Sequence, residues 1–146
     1  MMLLRRLLGV RLALCALGAM PACGGVPTRT LVLHPAPDVN QGRIFYVLVR
    51  TTDEKEFFAD SYQKIAALAF PAAKDPSVLA LALVNPGKSE RLEVKVPGEQ
   101  PFAIYMLFTS PGEPWKLLLS APLEKEYEFM MEGNRVFLEK PTTAPQ

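Results

Sequence analysis

The sequence predicts a mostly β protein: a two-sheet antiparallel β-sandwich of about eight strands with one added α-helix. Two observations predict this fold. Short apolar runs separated by proline, glycine and asparagine recur at regular intervals after residue 75. An apolar pattern with the period of a helix occupies only one segment, between residues 53 and 71. We expect one domain, because the roughly 124 residues that follow the amino-terminal leader are enough to bury a single core.

The first two strands precede the helical segment. Leu31 and Leu33 alternate with their neighbours, which is typical of a strand. Residues 35–42 are expected to form a loop, because their prolines, asparagine and glycine supply turn geometry and interrupt a strand ladder. Residues 43–51 are rich in Ile, Phe, Tyr and Val, which indicates a largely buried second strand.

The helix is expected to begin at Asp53, where Glu56 three residues later resembles a capping box. An apolar face then recurs with helical spacing, and Pro71 ends the helix because a proline disfavours helical backbone in the residue before it. We expect this face to dock the helix on a sheet through Phe58, Tyr62, Ile65 and Ala69.

The second half of the chain is expected to contain the remaining strands. Residues 91–96 alternate apolar and charged side chains, which predicts a half-exposed strand. Residues 102–109 are apolar on both faces and predict a central strand, whereas Gly133 and Asn134 predict a hairpin turn. The strands predicted after the helix are residues 78–84, 91–96, 102–109, 115–120, 127–131 and 135–139.

The amino terminus has the features of a secretory signal that ends at a cysteine. Three arginines and an apolar stretch precede the small residue Ala22, and Cys23 follows. The segment from Met20 to Cys23 resembles a bacterial lipobox, in which the cysteine receives a diacylglycerol and becomes the amino terminus, although methionine and proline are atypical there. We therefore predict a signal peptide at 1–22, a lipidated tether at 23–28, the sandwich at 29–140 and a flexible tail at 141–146.

Two other interpretations of the leader remain. A membrane-spanning helix needs about 20 consecutive apolar residues, but Arg11 interrupts this stretch and Pro21 ends it, so a retained span is disfavoured. A plain signal peptide cleaved elsewhere would leave Cys23 as an ordinary thiol. Once residues 1–22 are removed, a single cysteine remains, which cannot form an internal disulfide and would be exposed to oxidation unless it is acylated.

Composition and motifs disfavour nucleic-acid binding and catalysis. Without the three arginines of the leader, the chain has a net charge of about −2, whereas a nucleic-acid-binding domain is strongly basic. His34, the only histidine, has no cysteine or carboxylate at metal-ligand spacing and is interpreted as a polar residue at a strand end. Neither a nucleophile motif nor a phosphate-binding glycine loop occurs. We expect no enzyme activity, no metal and no cofactor apart from the covalent lipid on Cys23.

The order of these segments resembles a known family. The acylated leader and first strand are followed by a loop with Asn40, then Arg43-Ile44-Phe45-Tyr46-Val47-Leu48-Val49, and then the aromatic helix start Phe57-Phe58-Ala59-Asp60-Ser61-Tyr62. The turn Asn85-Pro86-Gly87-Lys88-Ser89-Glu90, the apolar strand Ala103-Ile104-Tyr105-Met106-Leu107-Phe108 and the pair Trp115-Lys116 follow in the same order. Over residues 23–139 the chain resembles TssJ, the outer-membrane lipoprotein of type VI secretion systems.

The resemblance implies a transthyretin-like β-sandwich with one added helix, held at the inner leaflet of the outer membrane of a Gram-negative bacterium and facing the periplasm. It implies a TssM-like inner-membrane protein as partner. Gly24 follows the cysteine, and in enteric lipoproteins the absence of an aspartate there favours export to the outer membrane. The family's main partner contact, the loop between the first two strands, corresponds here to Ala36, Pro37, Asp38, Val39, Asn40 and Gln41.

Alternatives remain for both the loop and the protein. The loop could be a plain solvated connection. The protein could be a periplasmic lipoprotein chaperone or pilotin, or a transthyretin-like carrier of a small ligand, for which an apolar pocket would be expected. On the TssJ-like interpretation, no small-molecule substrate is expected.

Overall fold

The computed structural model describes residues 24–139 and contains two packed four-stranded sheets. The strands are β1 (Thr28–Pro35), β2 (Phe45–Thr51), β3 (Val78–Val84), β4 (Glu90–Lys95), β5 (Phe102–Leu107), β6 (Lys116–Leu119), β7 (Glu126–Glu132) and β8 (Arg135–Glu139). One sheet has the strand order β4-β1-β7-β8 and the other β3-β2-β5-β6. The predicted β-sandwich of eight strands is confirmed.

One strand pair departs from the antiparallel expectation. β1 and β7 run parallel, from Thr30 opposite Glu126 to Pro35 opposite Met131, whereas the other paired strands are antiparallel. Parallel neighbours need a crossover connection of a dozen or more residues. Here the whole second sheet lies between the two strands in the chain, so alternation within either strand could not reveal the direction of this pair.

The core lies between the two sheets and is built from the inward side of each strand. Alternation in β1 and β4 places Leu31, Leu33 and Val94 inside. The central strand β5 is buried on both faces, as predicted, because helices cover the outer face of its sheet. Core residues with no exposed surface include Leu31, Leu33, Val39, Val47, Val49, Val84, Val96, Phe102, Ile104, Met106, Phe108, Phe129, Met131 and Val136.

Two short helices stand where one was predicted: α1 (Glu54–Ala59) and α2 (Tyr62–Ala69). Each has its own N-cap, because the Asp53 side chain accepts a hydrogen bond from the Glu56 amide and the Ser61 hydroxyl accepts one from the Lys64 amide. Between them, Asp60 has extended backbone and ends α1. The prediction of a single helix was therefore wrong.

The break also changes which aromatic residue docks. Phe58 is 73% exposed, so the prediction that it packs on the sheet was wrong. Its neighbour Phe57 is buried instead and lies near Tyr105. Tyr62 docks as predicted: its ring packs edge-on against Trp115, and its hydroxyl donates to the Phe108 carbonyl.

The connections separate the sandwich into two ends. The loops 36–44, 85–89, 108–115 and 133–134 join successive strands at one end, which we call the loop end. Residues 24–27, 96–101 and 120–125 lie at the other, which we call the tether end. β1 runs from the tether end to the loop end, and at about 3.3 Å per residue its length separates them by roughly 25 Å.

Candidate partner-binding surface

The predicted contact loop is part exposed and part buried. Pro37, Asp38 and Gln41 are exposed, and Ala36 is half-buried. By contrast, Val39 has no exposed surface and Asn40 is 2% exposed. The structure therefore leaves three of the six predicted residues with side chains open to a partner, and it uses the other residues to hold the loop in place.

The loop has an unusual backbone. Residues 39–42 form a short 3₁₀ turn, within which Asn40, Gln41 and Gly42 have φ angles of 50°, 57° and 71°. Left-handed backbone costs roughly 1–2 kcal/mol for most residues, although asparagine tolerates it better than most. This turn delays the second strand to Phe45, two residues later than predicted. Such strained positions persist where surrounding contacts fix them.

Asn40 provides those contacts. Its amide nitrogen donates to the carbonyls of Arg43 and Ile44, each at 3.2 Å, and its amide oxygen accepts from the Thr109 N–H at 2.8 Å. Its backbone N–H donates to the Gly133 carbonyl at 2.9 Å. One buried residue thus connects the first loop to both the β5–β6 and the β7–β8 connections.

Further hydrogen bonds join the remaining loops to this arrangement. The Gly87 N–H donates to the Pro35 carbonyl at 3.0 Å, and a Cβ at Gly87 would lie only 3.5–3.6 Å from Pro37. The Gly112 N–H donates to the Asn134 carbonyl at 2.8 Å. Three of the four connections at the loop end are therefore hydrogen-bonded to one another, and the fourth, residues 85–89, is hydrogen-bonded to the last residue of β1 beside them.

The outer surface of this assembly is chemically mixed. The first loop exposes the side chains of Asp38, Gln41 and Arg43. Ile44, at the end of this loop, is 57% exposed. The β5–β6 loop adds a short polar segment with a proline. Among residues 24–139, no group of three His, Cys, Asp or Glu side chains could hold a metal ion. The exposed residues of this surface include Pro37, Asp38, Gln41, Arg43, Ile44, Thr109, Ser110 and Pro111.

A second polar cluster, which sequence reasoning missed, lies under the helices. Asp60 has a fully buried side chain that contacts Arg50 at 3.3 Å, Lys64 at 2.7 Å and the Tyr105 hydroxyl at 2.6 Å. Burial by itself would raise the pKa of Asp60, but the hydrogen bonds from Lys64 and Tyr105 and the charge of Arg50 outweigh it and hold the pKa below 3.8. Burial, together with the bond to Asp60, raises the pKa of Tyr105.

The contacts of this Asp60 cluster hold the helices on the sheet. Lys116 donates to the carbonyls of Phe57 and Asp60, which end α1, at 2.6 and 2.8 Å. The cluster therefore pins the break between the helices to β2, β5 and β6. The sequence signal was Ser61, a good N-cap residue directly after Asp60, inside what looked like a continuous helical pattern.

The structure describes His34 but not the predicted lipid attachment site. His34 lies near the end of β1, where its ring nitrogens are 3.0 Å from the Ser89 hydroxyl and 3.3 Å from a Glu128 carboxylate oxygen. Cys23, the signal peptide 1–22 and the tail 141–146 lie outside the described residues, so they stay predictions. In the part of the chain that the structure describes, no helix is long and apolar enough to cross a membrane.

Comparison with solved structures gives the fold independent support. The chain superposes with a TM-score of 0.62 and 16% identity on a chain of a type VI membrane complex, covering 80% of this chain and 100% of that one. It matches the type VI lipoprotein TssJ1 of Pseudomonas aeruginosa with a TM-score of 0.62 and 15% identity, covering 83% and 100%.

A third structure, described as the type VI secretion protein TssM C-terminal domain from EAEC, contains a chain that matches with a TM-score of 0.59 and 16% identity, covering 76% and 99%. At these identities the likeness concerns the fold. No match was found among curated proteins.

The sequence also matches a protein-family model. It is described as the IglE N-terminal domain and matches residues 46–131, from the second strand through β7. The match spans more than half of the chain, and it covers both helices, nearly all of the β3-β2-β5-β6 sheet, and β4 and β7 of the other sheet. The chain therefore belongs to the IglE N-terminal domain family, a family of type VI secretion lipoproteins, in agreement with the TssJ-like resemblance of its sequence.

Proposed function

We propose that this protein is a lipoprotein that fixes a type VI secretion membrane complex to the outer membrane by binding the periplasmic domain of a TssM-like inner-membrane protein. The observation that carries the proposal is the division of the sandwich into two ends. The chain enters at the tether end, and the assembly organised by Asn40 lies about 25 Å away at the loop end. A protein that joins a membrane to a partner needs its two attachments apart.

The comparisons support this choice of partner and system. The matched structures come from a type VI membrane complex, a type VI lipoprotein and a structure named for TssM. The first loop, which the sequence resemblance assigns to the partner, is held rigidly with Asp38 and Gln41 facing outward. A rigid loop loses little conformational entropy on binding, which favours affinity.

The anchor in this proposal is a lipid on Cys23. A single acyl chain gives marginal and reversible membrane binding, whereas two or more chains hold stably. Residues 24–27 connect this position to β1. In an extended conformation they span at most about 14 Å, at 3.3–3.6 Å per residue, so the domain would stay close to the bilayer.

The protein acts in this proposal through binding, with no catalytic step and no cofactor other than the lipid. A small-ligand carrier would need an enclosed apolar pocket. The space between the sheets is occupied by core side chains such as Phe102, Phe129 and Met106, each without exposed surface. This packing favours the anchor over the carrier.

The anchor is tested by replacing Cys23 with serine. Cys23→Ser should abolish labelling with a palmitate analogue and leave the protein in the periplasm or as an uncleaved precursor. The wild-type protein, expressed in the same cells, is the control. Normal acylation of the variant would show that Cys23 is not the lipid attachment site.

Partner binding is tested by replacing the exposed residues Asp38 and Gln41 with serine, while the buried residues Val39 and Asn40 stay in place. Affinity for the purified periplasmic domain of the TssM-like protein should fall while lipid labelling persists, because a few interface residues carry most of the binding energy. Secretion should fail in parallel. If the intact protein does not bind this domain at all, the type VI anchor assignment is wrong.

A further inference from the structure

We propose that the partner binds a composite surface made of the β1–β2 and β5–β6 loops, and that Asn40 is the positioning residue that holds the two loops together. The inference rests on the proposed function and extends it to a second loop. It assigns binding to Thr109, Ser110 and Pro111, and it gives Asn40 a role that does not require contact with the partner.

The contacts of Asn40 carry the first step. Its side chain satisfies its hydrogen-bonding groups in two directions, toward Arg43 and Ile44 in its own loop and toward Thr109 in the other. At 2% exposure it has almost no surface to offer a partner. A buried amide that joins two exposed loops determines how those loops are placed relative to each other.

The exposed neighbours carry the second step. Thr109 is exposed although its N–H is bound to Asn40, and Ser110 and Pro111 continue the exposed segment. On the other side of Asn40, Gln41 and Arg43 are exposed. The two segments therefore present their side chains from either side of one partly buried hydrogen bond, which makes them adjacent parts of one surface.

The backbone conformation of the β1–β2 loop indicates the kind of partner. Left-handed conformation at Asn40 and Gln41 is strained for non-glycine residues, so the loop would relax without the contacts that fix it. A surface held rigid across two loops, with an acid, a base and short polar side chains, fits a folded protein domain of complementary shape. Affinity falls in proportion to the fraction of molecules in the binding arrangement.

The experiment uses the full chain in detergent and measures its binding kinetics with the periplasmic domain of the TssM-like protein. In Asn40→Gly the backbone keeps its φ angle without strain, but the side-chain hydrogen bonds are lost. If the loops occupy the binding arrangement only about a tenth of the time, affinity falls about tenfold, mainly through slower association. Hydrogen exchange of the Thr109 amide should become faster in the same variant.

Two further variants make the test specific. Ser110→Arg places a large charged side chain on the β5–β6 loop and should weaken binding about tenfold or more while the melting temperature stays unchanged. Tyr127→Phe is the matched control, because it removes a hydrogen bond from the Glu124 N–H at the tether end and should leave partner affinity unchanged.

Each outcome decides the inference. Wild-type affinity in Asn40→Gly, with faster Thr109 exchange, would overturn the positioning role. Wild-type affinity in Ser110→Arg would overturn the composite surface, and this variant still decides if Asn40→Gly fails to fold. If Tyr127→Phe lowers partner affinity as much as Asn40→Gly does, the loss in Asn40→Gly reflects general destabilisation, and the positioning role is overturned. If the wild-type chain does not bind the domain, the proposed function itself fails.

Discussion

Replacing Asp60 should destabilise the protein more than most single substitutions. Asp60→Ala removes the carboxylate that pairs with Arg50, whose side chain is only 9% exposed, and it leaves the buried Tyr105 hydroxyl without its acceptor. Arg50 retains Glu56 at 3.2 Å, but its Nε already lacks a partner. Removing one member of a buried ion pair typically costs about 3–5 kcal/mol.

The corresponding fall in melting temperature is large. For a domain of this size, 1 kcal/mol changes the melting temperature by roughly 4 °C, so Asp60→Ala should lower it by about 12–20 °C. Loss of the Lys64 ion pair adds little to the stability cost of Asp60→Ala, because the Lys64 side chain is 50% exposed and an exposed ion pair is weak. Thermal unfolding followed by circular dichroism measures the change, with Phe58→Ala as a control at an exposed site in α1.

The pH dependence of stability separates the contribution of the Asp60 charge from that of its packing. The pKa of Asp60 is lower in the folded protein than its ordinary 3.8, so its charge stabilises the fold above pH 3.8. That contribution is lost as the pH falls through the folded pKa. Asp60→Asn keeps the size of the side chain but loses the charge, so its stability deficit should shrink between pH 6 and pH 3. A deficit that is constant over this range, or Asp60→Ala unfolding like the wild type, would refute the role of the buried charge.

Two more predictions concern the helices and the first loop. Phe57→Ala should cost about 3–5 kcal/mol because Phe57 is buried against Tyr105, whereas Phe58→Ala should change stability by no more than about 0.5 kcal/mol; equal losses in chemical denaturation would contradict the observed packing of α1. Gln41→Gly should stabilise the fold by about 0.5–1 kcal/mol, since relief of left-handed strain outweighs the greater backbone freedom of glycine in the unfolded chain. Asn40→Gly, at a similar φ, should instead lose stability because its hydrogen bonds disappear; a gain in both variants would mean that these bonds contribute nothing.

Much of the sheet structure was predictable from local pattern. The strand at residues 78–84 was predicted with the observed bounds, and that at 91–96 was one residue from them. Alternation fixes which face of β4 is buried, and the apolar run of β5 indicates a strand covered on both faces. These features depend on neighbours along the chain, so sequence reasoning could reach them.

The missed features depend on contacts between distant residues. Asp60 ends a helix because Arg50, Tyr105 and Lys116 hold it there, and no periodicity within the helical segment records those partners. Likewise, Asn40 was recognised as a turn residue, but its bond to Thr109 spans 69 positions in the chain. The position of the β1–β2 loop could be predicted, whereas the hydrogen bonds that hold it to the other connections could not.

The position of β1 has a consequence for a protein pulled from both ends. β1 is hydrogen-bonded on both sides, to β4 over Thr28–Leu33 and to β7 over Thr30–Pro35. Tension between the tether and the loop end would act along this strand, while its inter-strand bonds run largely across it. The force would therefore shear both ladders at once, and the chain could not peel away one bond at a time. Resistance to such a force depends on the rate of unfolding under tension. An outermost strand in the position of β1, bonded on one side alone, would therefore give way sooner at the same equilibrium stability.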